Sequence, residues 1–424
     1  MNNNLNNLHP YPFAKMSHLL ADSTPNPAYT EIKLGIGEPK HAPPSFVIDT
    51  LKENLDGIAR YPTTMGSFEL RQTIAHWLEK RFFLHHVNPN SEVLPVMGTR
   101  EAIFSFVQAA IDTSRLNHNI SRKTDQPNSS LSISEGVAHI EPRPIVIMPN
   151  PFYQIYEGAA ILAQATPYFI PCSSDNSFKE NYRSVPRSIW EQTQLLFVCS
   201  PNNPTGNVMT MEDWELLIRL SDQYDFIIAS DECYSELYFN EPPIGLLQAC
   251  ANLSRDDFKN CVVFHSLSKR SNLPGLRSGF IAGDADLLAP YLQYRTYQGC
   301  AMPIPHQLAS IAAWQDERHV MQNRALYKEK FALWMQELGQ LLELRMPEAG
   351  FYFWLKVPEA FDNDDEVFVK ALYEQVHIYA LAGSYLSREV QGYNPGKGHV
   401  RIALVASIEE NVEAICRIRQ LLSH

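Results

Sequence analysis

The sequence predicts an α/β protein, and two patterns carry that expectation. Four short apolar runs recur along the middle of the chain: Pro144–Met148 (PIVIM), Leu195–Cys199 (LLFVC), Phe226–Ala229 (FIIA) and Cys261–Phe264 (CVVF). Each is as short and as continuously apolar as a strand buried on both faces of a parallel sheet. Helical stretches such as Met211 to Gln223 separate several of them, which gives a βαβ rhythm. From about Pro305 the pattern changes. A long helical stretch with Trp314, Leu326, Phe331, Trp334 and Leu338 is followed by strand-like FYFWL (Phe351–Leu355) and VRIAL (Val400–Leu404). A last helix then opens with Ser407 and Glu410 spaced as a capping box. This tail reads as a smaller α+β unit.

The elements before the first run are less regular. Asn and Pro are frequent up to about Thr30, which predicts an extended arm. Leu70, Ile74, Trp77, Leu78 and Phe82 form an amphipathic helical stripe with Ser67 as its N-cap. The segment from Arg115 to Arg143 is polar and aperiodic, and reads as a surface insertion.

Composition excludes several classes of function. The chain has 424 residues, 45% of them hydrophobic, so it can bury a large core and reads as two or three domains. A net charge of -12 argues against a general phosphate-backbone binder, but not against a local pocket for one small anion. No apolar run reaches the ~18–20 residues of a membrane helix, and the N-terminus lacks the pattern of a secretion signal. The seven cysteines are scattered and never spaced C-x-x-C, which favours reduced cytoplasmic thiols over a disulfide framework or a zinc site. Gly35-Ile-Gly37 lacks the third glycine of a dinucleotide fingerprint and runs on into Pro39. Neighbouring His85 and His86 read as a solvated helix end, and Gly396-Lys397-Gly398 as a loop before a strand.

Four separated segments carry the chemistry. SPNNPTG (Ser200–Gly206) follows LLFVC; alone it reads as a tight turn. SDECY (Ser230–Tyr234) follows FIIA and puts a carboxylate at the carboxyl end of a buried strand, where ligands of open α/β sheets bind. SLSK (Ser266–Lys269) follows CVVF and continues to Gly275-Leu276-Arg277-Ser278-Gly279. A lysine between hydroxyls, with an arginine eight residues on, reads as an anion site containing an amine. Gly98-Thr99-Arg100 is a small-residue turn opening a helix, and free N–H groups at a helix start suit a phosphate. A phosphate cradle, a nucleophilic amine, a buried acid, and phenol and amide donors are the groups that pyridoxal phosphate requires.

With these motifs the chain, from about Leu34 onward, resembles the class I/II, fold-type I pyridoxal-phosphate aminotransferases. The resemblance implies a large domain (46–305) with a mostly parallel seven-stranded sheet between helices. It implies a small C-terminal domain (306–424), and an arm (1–45) that partly joins it. It also implies that Lys269 holds pyridoxal 5'-phosphate as a Schiff base and moves the substrate proton, and that Asp231 lies under the ring nitrogen. Asn203 and Tyr234 match donors to the ring oxygen, and Tyr153 the aromatic on the ring face. Thr99, Arg100, Ser266 and Arg277 fall at phosphate positions. Arg401 matches the arginine that grips the substrate α-carboxylate, and Gly37 a backbone position beside it. Tyr61 matches a tyrosine serving the neighbouring subunit's cofactor, which implies a homodimer with shared sites. Two segments, PNPFYQIYEG (Pro149–Gly158) and YRTYQGCAMP (Tyr294–Pro303), look most like N-succinyldiaminopimelate aminotransferases of lysine biosynthesis. On that likeness Arg295 is expected to meet a distal substrate carboxylate. The competing readings are another aminotransferase (aspartate, aromatic, branched-chain or acetylornithine-like substrate), a pyridoxal-phosphate lyase or decarboxylase, and a cofactor-sensing regulator. The acidic charge and the short stretch before Leu34 argue against the regulator.

Overall fold

The computed structural model describes residues 1–114 and 143–423. Apart from Arg143, the expected insertion 115–143 lies outside the described residues.

A seven-stranded sheet forms the larger layer. In spatial order its strands are Val93–Val96, Gly279–Gly283, Cys261–Ser266, Ile227–Asp231, Thr193–Cys199, Ile145–Asn150 and Thr166–Pro171. Gly279–Gly283 runs antiparallel to both neighbours, and the other neighbouring pairs are parallel. All four apolar runs are strands of this sheet, buried or nearly so along their length. Burial on both faces explains why they do not alternate with polar residues. One face packs on a core that includes Trp77, Trp214, Phe226 and Phe280. The other packs on Phe106, Tyr156, Phe197 and Ile281. Removing either large indole, Trp77 or Trp214, to alanine costs about 3–5 kcal/mol, because the surrounding sheet collapses only partly.

A separate core holds the C-terminal unit, around Trp334, Phe353, Phe368, Leu381 and Ile418. Its three strands lie in the order Leu381–Ala382, His399–Ala403, Tyr352–Lys356, all antiparallel. Ile32–Lys33 pairs in parallel with Ile378–Tyr379, which fastens the N-terminal segment to this unit.

Helix boundaries follow local chemistry. The helix Phe68–Phe82 starts where Ser67 accepts a hydrogen bond from the Leu70 amide. The helix Ile408–Leu422 opens with the full capping box of Ser407 and Glu410. Two expectations are corrected. The region after Pro305 is two helices, Ile304–Gln315 and Arg318–Leu338, broken where Asp316 turns extended and its carboxylate accepts from the His319 amide. The arm is not extended throughout. It contains a 3-10 turn, Asn3–Asn7, and an α-helix, Pro12–Leu19. Pro12 opens that helix with a φ already suited to it, and Met16 is fully buried against the C-terminal core, so packing overrides the polar composition.

Candidate active site

The carboxyl ends of three adjacent strands meet the C-terminal unit around a cavity of about 540 Å³. Gly37, Thr99, Arg100, Tyr153, Asn203, Asp231, Tyr234, Ser266, Lys269, Arg277 and Arg401 all line it. Segments far apart in sequence converge here because the parallel strands all end on the same edge.

Asp231 ends its strand with 5% of its surface exposed. Its Oδ2 accepts the Tyr156 hydroxyl hydrogen at 2.8 Å, and its Oδ1 accepts the Cys233 amide at 3.2 Å. Burial pushes the Asp231 carboxyl up, while the Cys233 and Tyr156 hydrogen bonds draw it back. Its hydrogen-bond partners are thus neutral, and a protonated ring nitrogen would supply the missing opposite charge.

Lys269 follows Ser266, whose side chain accepts from the Ser268 amide at 3.0 Å and so turns the chain into the cavity. The Lys269 amine donates to the Gly37 carbonyl and stands 5.2 Å from the centre of the Phe351 ring. Burial pulls it down to about 8; Cys233 and Glu38 oppose that shift, and the charges of Arg401 and Arg100 add to it. A lysine so placed offers an unprotonated amine near neutrality.

The anion end depends on one close approach that glycine allows. Gly98 has φ +86°, and a Cβ there would lie 2.2 Å from Arg277 Nη2, so a side chain would be strained and would push the guanidinium out of place. Arg277 Nη1 donates to the Pro274 carbonyl at 2.8 Å and Nη2 to the Met97 carbonyl at 3.4 Å. Its charge is therefore held by carbonyls beside the start of the helix Thr99–Ala110. Thr99 Oγ1 lies 3.2 Å from Cys233 Sγ. These donors fit a phosphate, and together with Lys269 and Asp231 they fit pyridoxal phosphate.

Arg401 bridges the two units. Its Nη1 donates to Asn203 Oδ1 at 3.0 Å, its Nη2 to the Gly35 carbonyl at 2.9 Å, and its Nε is buried without a partner. The guanidinium lies 4.3 Å from the centre of the Tyr352 ring, and Tyr352 shares a 3.0 Å hydroxyl contact with Tyr234. A Cβ on Gly37 would lie 1.9 Å from the Tyr352 hydroxyl, so glycine is what admits that phenol.

Arg295 is corrected. It does not line the cavity and is fully buried. It donates to both Glu101 oxygens at 2.9 and 3.0 Å, and also meets the Tyr291 hydroxyl and the Cys300 carbonyl. Its charge is neutralised by a two-point ion pair, so Arg295 itself offers no free cation to a substrate in this chain's own cavity. Tyr61 also lies off this cavity, fully exposed on the surface.

Several lining or supporting residues were not singled out from sequence. Tyr156 and Tyr352 lie inside segments quoted above, with no role assigned to either from the sequence. Tyr11, Pro12 and Phe13, at the start of the N-terminal helix, also line the cavity, and their only sequence signal is an apolar cluster within a polar arm.

A doubly wound sheet that ends on a buried acid, an amine and a phosphate cradle defines a pyridoxal-phosphate enzyme of the aminotransferase type. The family model for aminotransferase class I and II matches residues 29–116 and 128–418. The chain belongs to that family and is a pyridoxal 5'-phosphate-dependent aminotransferase. It is similar to the LL-diaminopimelate aminotransferase of Aquifex aeolicus, with 29% identity over 98% of this chain and 97% of the relative. Its fold matches the crystal structure of an aminotransferase from Neisseria meningitidis Z2491, with TM-score 0.89, 44% identity, and 99% and 100% of the two chains covered. It also matches the aminotransferase AspB of Helicobacter pylori 26695, with TM-score 0.81, 34% identity, and 97% and 99% covered.

Proposed function

We propose that this aminotransferase passes amino groups between glutamate and a diaminopimelate-type substrate, in diaminopimelate and lysine biosynthesis. The observation that carries this reading is Arg100. Its guanidinium stands at the cavity between Tyr11 and Tyr153, 5.9 Å from each ring centre, and its Nε donates to the Tyr153 hydroxyl at 2.6 Å. No carboxylate among the described residues pairs with it. It supplies the second cation, separate from Arg401, that a distal carboxylate needs and that Arg295 does not provide. The names of the curated relatives support the diaminopimelate skeleton; the N-succinyl form is the expectation from the sequence.

The roles follow from position. Bound pyridoxal phosphate supplies an electron sink for charge developing at the substrate α-carbon. Lys269 Nζ holds the cofactor in the resting enzyme and takes the substrate α-proton once free. Asp231 supplies a fixed negative charge, and Asn203, Tyr234 and Tyr153, which line the same cavity, would hold the cofactor ring. Thr99, Ser266 and Arg277 would bind the phosphate, with Arg401 and the Gly37 backbone on the α-carboxylate. Arg100, expected at the phosphate from the sequence, has its guanidinium turned to Tyr11 and Tyr153 and is assigned instead to the distal carboxylate. Tyr61 is assigned to the partner's site of a homodimer. Mixing Tyr61→Phe and Lys269→Ala enzymes under subunit exchange should restore activity in hybrid dimers, and no recovery would argue for independent sites.

The substrate test is a donor series with 2-oxoglutarate: LL-diaminopimelate, N-succinyl-LL-diaminopimelate, aspartate, phenylalanine and leucine. A kcat/KM at least tenfold higher for one diaminopimelate form supports the reading and names the form. Equal or higher values for a neutral donor would overturn it.

A further inference from the structure

A buried polar relay joins the Lys269 turn to the strand that carries Arg401. Asn323 Nδ2 donates to the carbonyls of Lys269 at 3.2 Å and Arg270 at 3.3 Å. Asn323 Oδ1 accepts from Asn272 Nδ2 at 2.9 Å and lies 2.8 Å from His41 Nδ1. On the far side of the imidazole, His41 Nε2 lies 2.6 Å from Lys330 Nζ. Lys330 in turn donates to the Leu404 carbonyl at 3.2 Å and to the Ala406 carbonyl. Those carbonyls follow directly on the strand His399–Ala403.

The chemistry of the partners fixes every hydrogen. An amide oxygen only accepts, so His41 Nδ1 carries the proton. An ammonium only donates, so His41 Nε2 accepts. The imidazole is therefore neutral, in one tautomer, and the three hydrogens of Lys330 meet three acceptors. Asn323 and Lys330 are each 2% exposed, and the His41 ring packs against Tyr327 with centroids 4.5 Å apart. The relay therefore runs from the C-terminal core to the cofactor-side turn with both ends, Asn323 and Lys330, buried and His41 half-buried between them, and a broken link at a buried end is costly.

We propose that His41 and Asn323 are positioning residues that hold the Lys269 turn in register with the Arg401 strand, so that one substrate can meet both side chains at once. The proposal rests on the roles assigned above to Lys269 and Arg401. An α-amino acid presents its carboxylate and its α-carbon at a fixed separation, so slack between guanidinium and amine weakens the grip on the substrate while leaving the phosphate cradle untouched.

The test uses holoenzyme carrying His41→Phe, Asn323→Leu or both, and succinate as a non-reacting dicarboxylate, titrated through the cofactor's visible absorption. His41→Phe keeps the ring against Tyr327 and removes both nitrogens. Each single variant should weaken succinate about three- to tenfold, the scale of a lost buried hydrogen bond, with cofactor affinity kept within about twofold. The double variant should be no weaker than the worse single, because either break opens the same chain. His41→Gln, with a donor and an acceptor on one amide, should recover most of the affinity, and it serves equally if His41→Phe does not fold. Losses that multiply in the double variant would overturn the proposal. So would unchanged succinate affinity with only a lower Tm, or no recovery in His41→Gln. Arg401→Lys is the control: if it leaves succinate binding intact, the Arg401 assignment has failed rather than the relay.

Discussion

Tyr156 donates its hydroxyl hydrogen to Asp231 Oδ2 at 2.8 Å, from a ring stacked on Phe197 with centroids 4.4 Å apart. The phenol is thus locked by packing on one side while it stabilises a buried charge on the other. Burial pushes the Asp231 carboxyl up, and this hydrogen bond is one of the forces drawing it down. Removing it in Tyr156→Phe therefore raises the Asp231 pKa further. A raised carboxyl is ionised only at higher pH, so activity should be lost earlier as pH falls. A hydrogen bond to a charged group contributes about 1.5–3 kcal/mol, which moves the acid limb of the kcat profile up by about one to two pH units. Asp231→Ala should lower kcat more than tenfold, a barrier of at least ~1.4 kcal/mol. An unmoved acid limb in the first variant, or a smaller loss in the second, removes this role from Asp231.

That acid was legible in the sequence and its partner was not, for a physical reason. A carboxylate two residues after FIIA, at the end of the same buried strand, contradicts the burial of that strand unless something uses it, so Asp231 announces itself. Tyr156 is one more aromatic in a segment with Phe152 and Tyr153, and sequence cannot tell a buried phenol with a task from one without. Lys269, Asn203 and Arg401 were likewise found by motif, because each follows or sits in a recognisable strand. Arg295 misled because its neutralising partner, Glu101, lies 194 residues away and no spacing rule connects the two. His41, Asn323 and Lys330 were invisible for the same reason: their hydrogen bonds exist only once the two units are packed together. The sheet was legible through its unbroken apolar runs. The N-terminal helix was not, since its short apolar stretch, with Phe13, Met16 and Leu19 facing the C-terminal core, is embedded in an Asn- and Pro-rich arm that reads as extended.

Lys269 should be the site of covalent cofactor attachment. Its amine is held down to about 8 by burial and by the arginines opposite. Below that pH the unprotonated fraction falls about tenfold per unit, and the rate at which apoenzyme takes up pyridoxal phosphate should fall with it, levelling off above pH 8. Borohydride reduction of the holoenzyme and peptide mapping should place the pyridoxyl group on Lys269. A label on another lysine would overturn the assignment, and a flat reconstitution rate from pH 6 to 9 would show that the amine is not depressed.

Arg295 should prove structural. Arg295→Met keeps most of the buried volume but strands Glu101, whose two oxygens lose their cation. Breaking one side of a buried pair costs about 3 kcal/mol, taken at the low end because the Glu101 side chain is 25% exposed. Denaturant unfolding should show that loss. The ratio of KM values for dicarboxylic and neutral donors should stay as in the parent enzyme. A selective rise in KM for dicarboxylic donors would return Arg295 to the substrate site.

Arg100 is where the distal-carboxylate reading stands or falls. The side chain leaves the first turn of the helix Thr99–Ala110, and its Nε is committed to Tyr153. Held between Tyr11 and Tyr153, its terminal nitrogens have no acidic partner among the described residues. Its residual charge raises the energy of the empty cavity and is relieved by an anionic substrate end. A charge-assisted hydrogen bond contributes about 1.5–3 kcal/mol, and the exposed position of Arg100 favours the low end. Arg100→Gln can still donate to Tyr153 but carries no charge, so packing is kept while the attraction is lost. The expected result is a fall in kcat/KM of about tenfold for diaminopimelate-type and glutamate donors, with neutral donors changed less than about twofold. The dicarboxylic preference of the parent enzyme should also weaken as salt is raised, since a charge at the cavity mouth is screened over ~10 Å at 0.1 M. Equal losses for charged and neutral donors would mean that Arg100 only braces Tyr153 over the cofactor ring, and the distal cation would then have to come from outside this chain's own cavity.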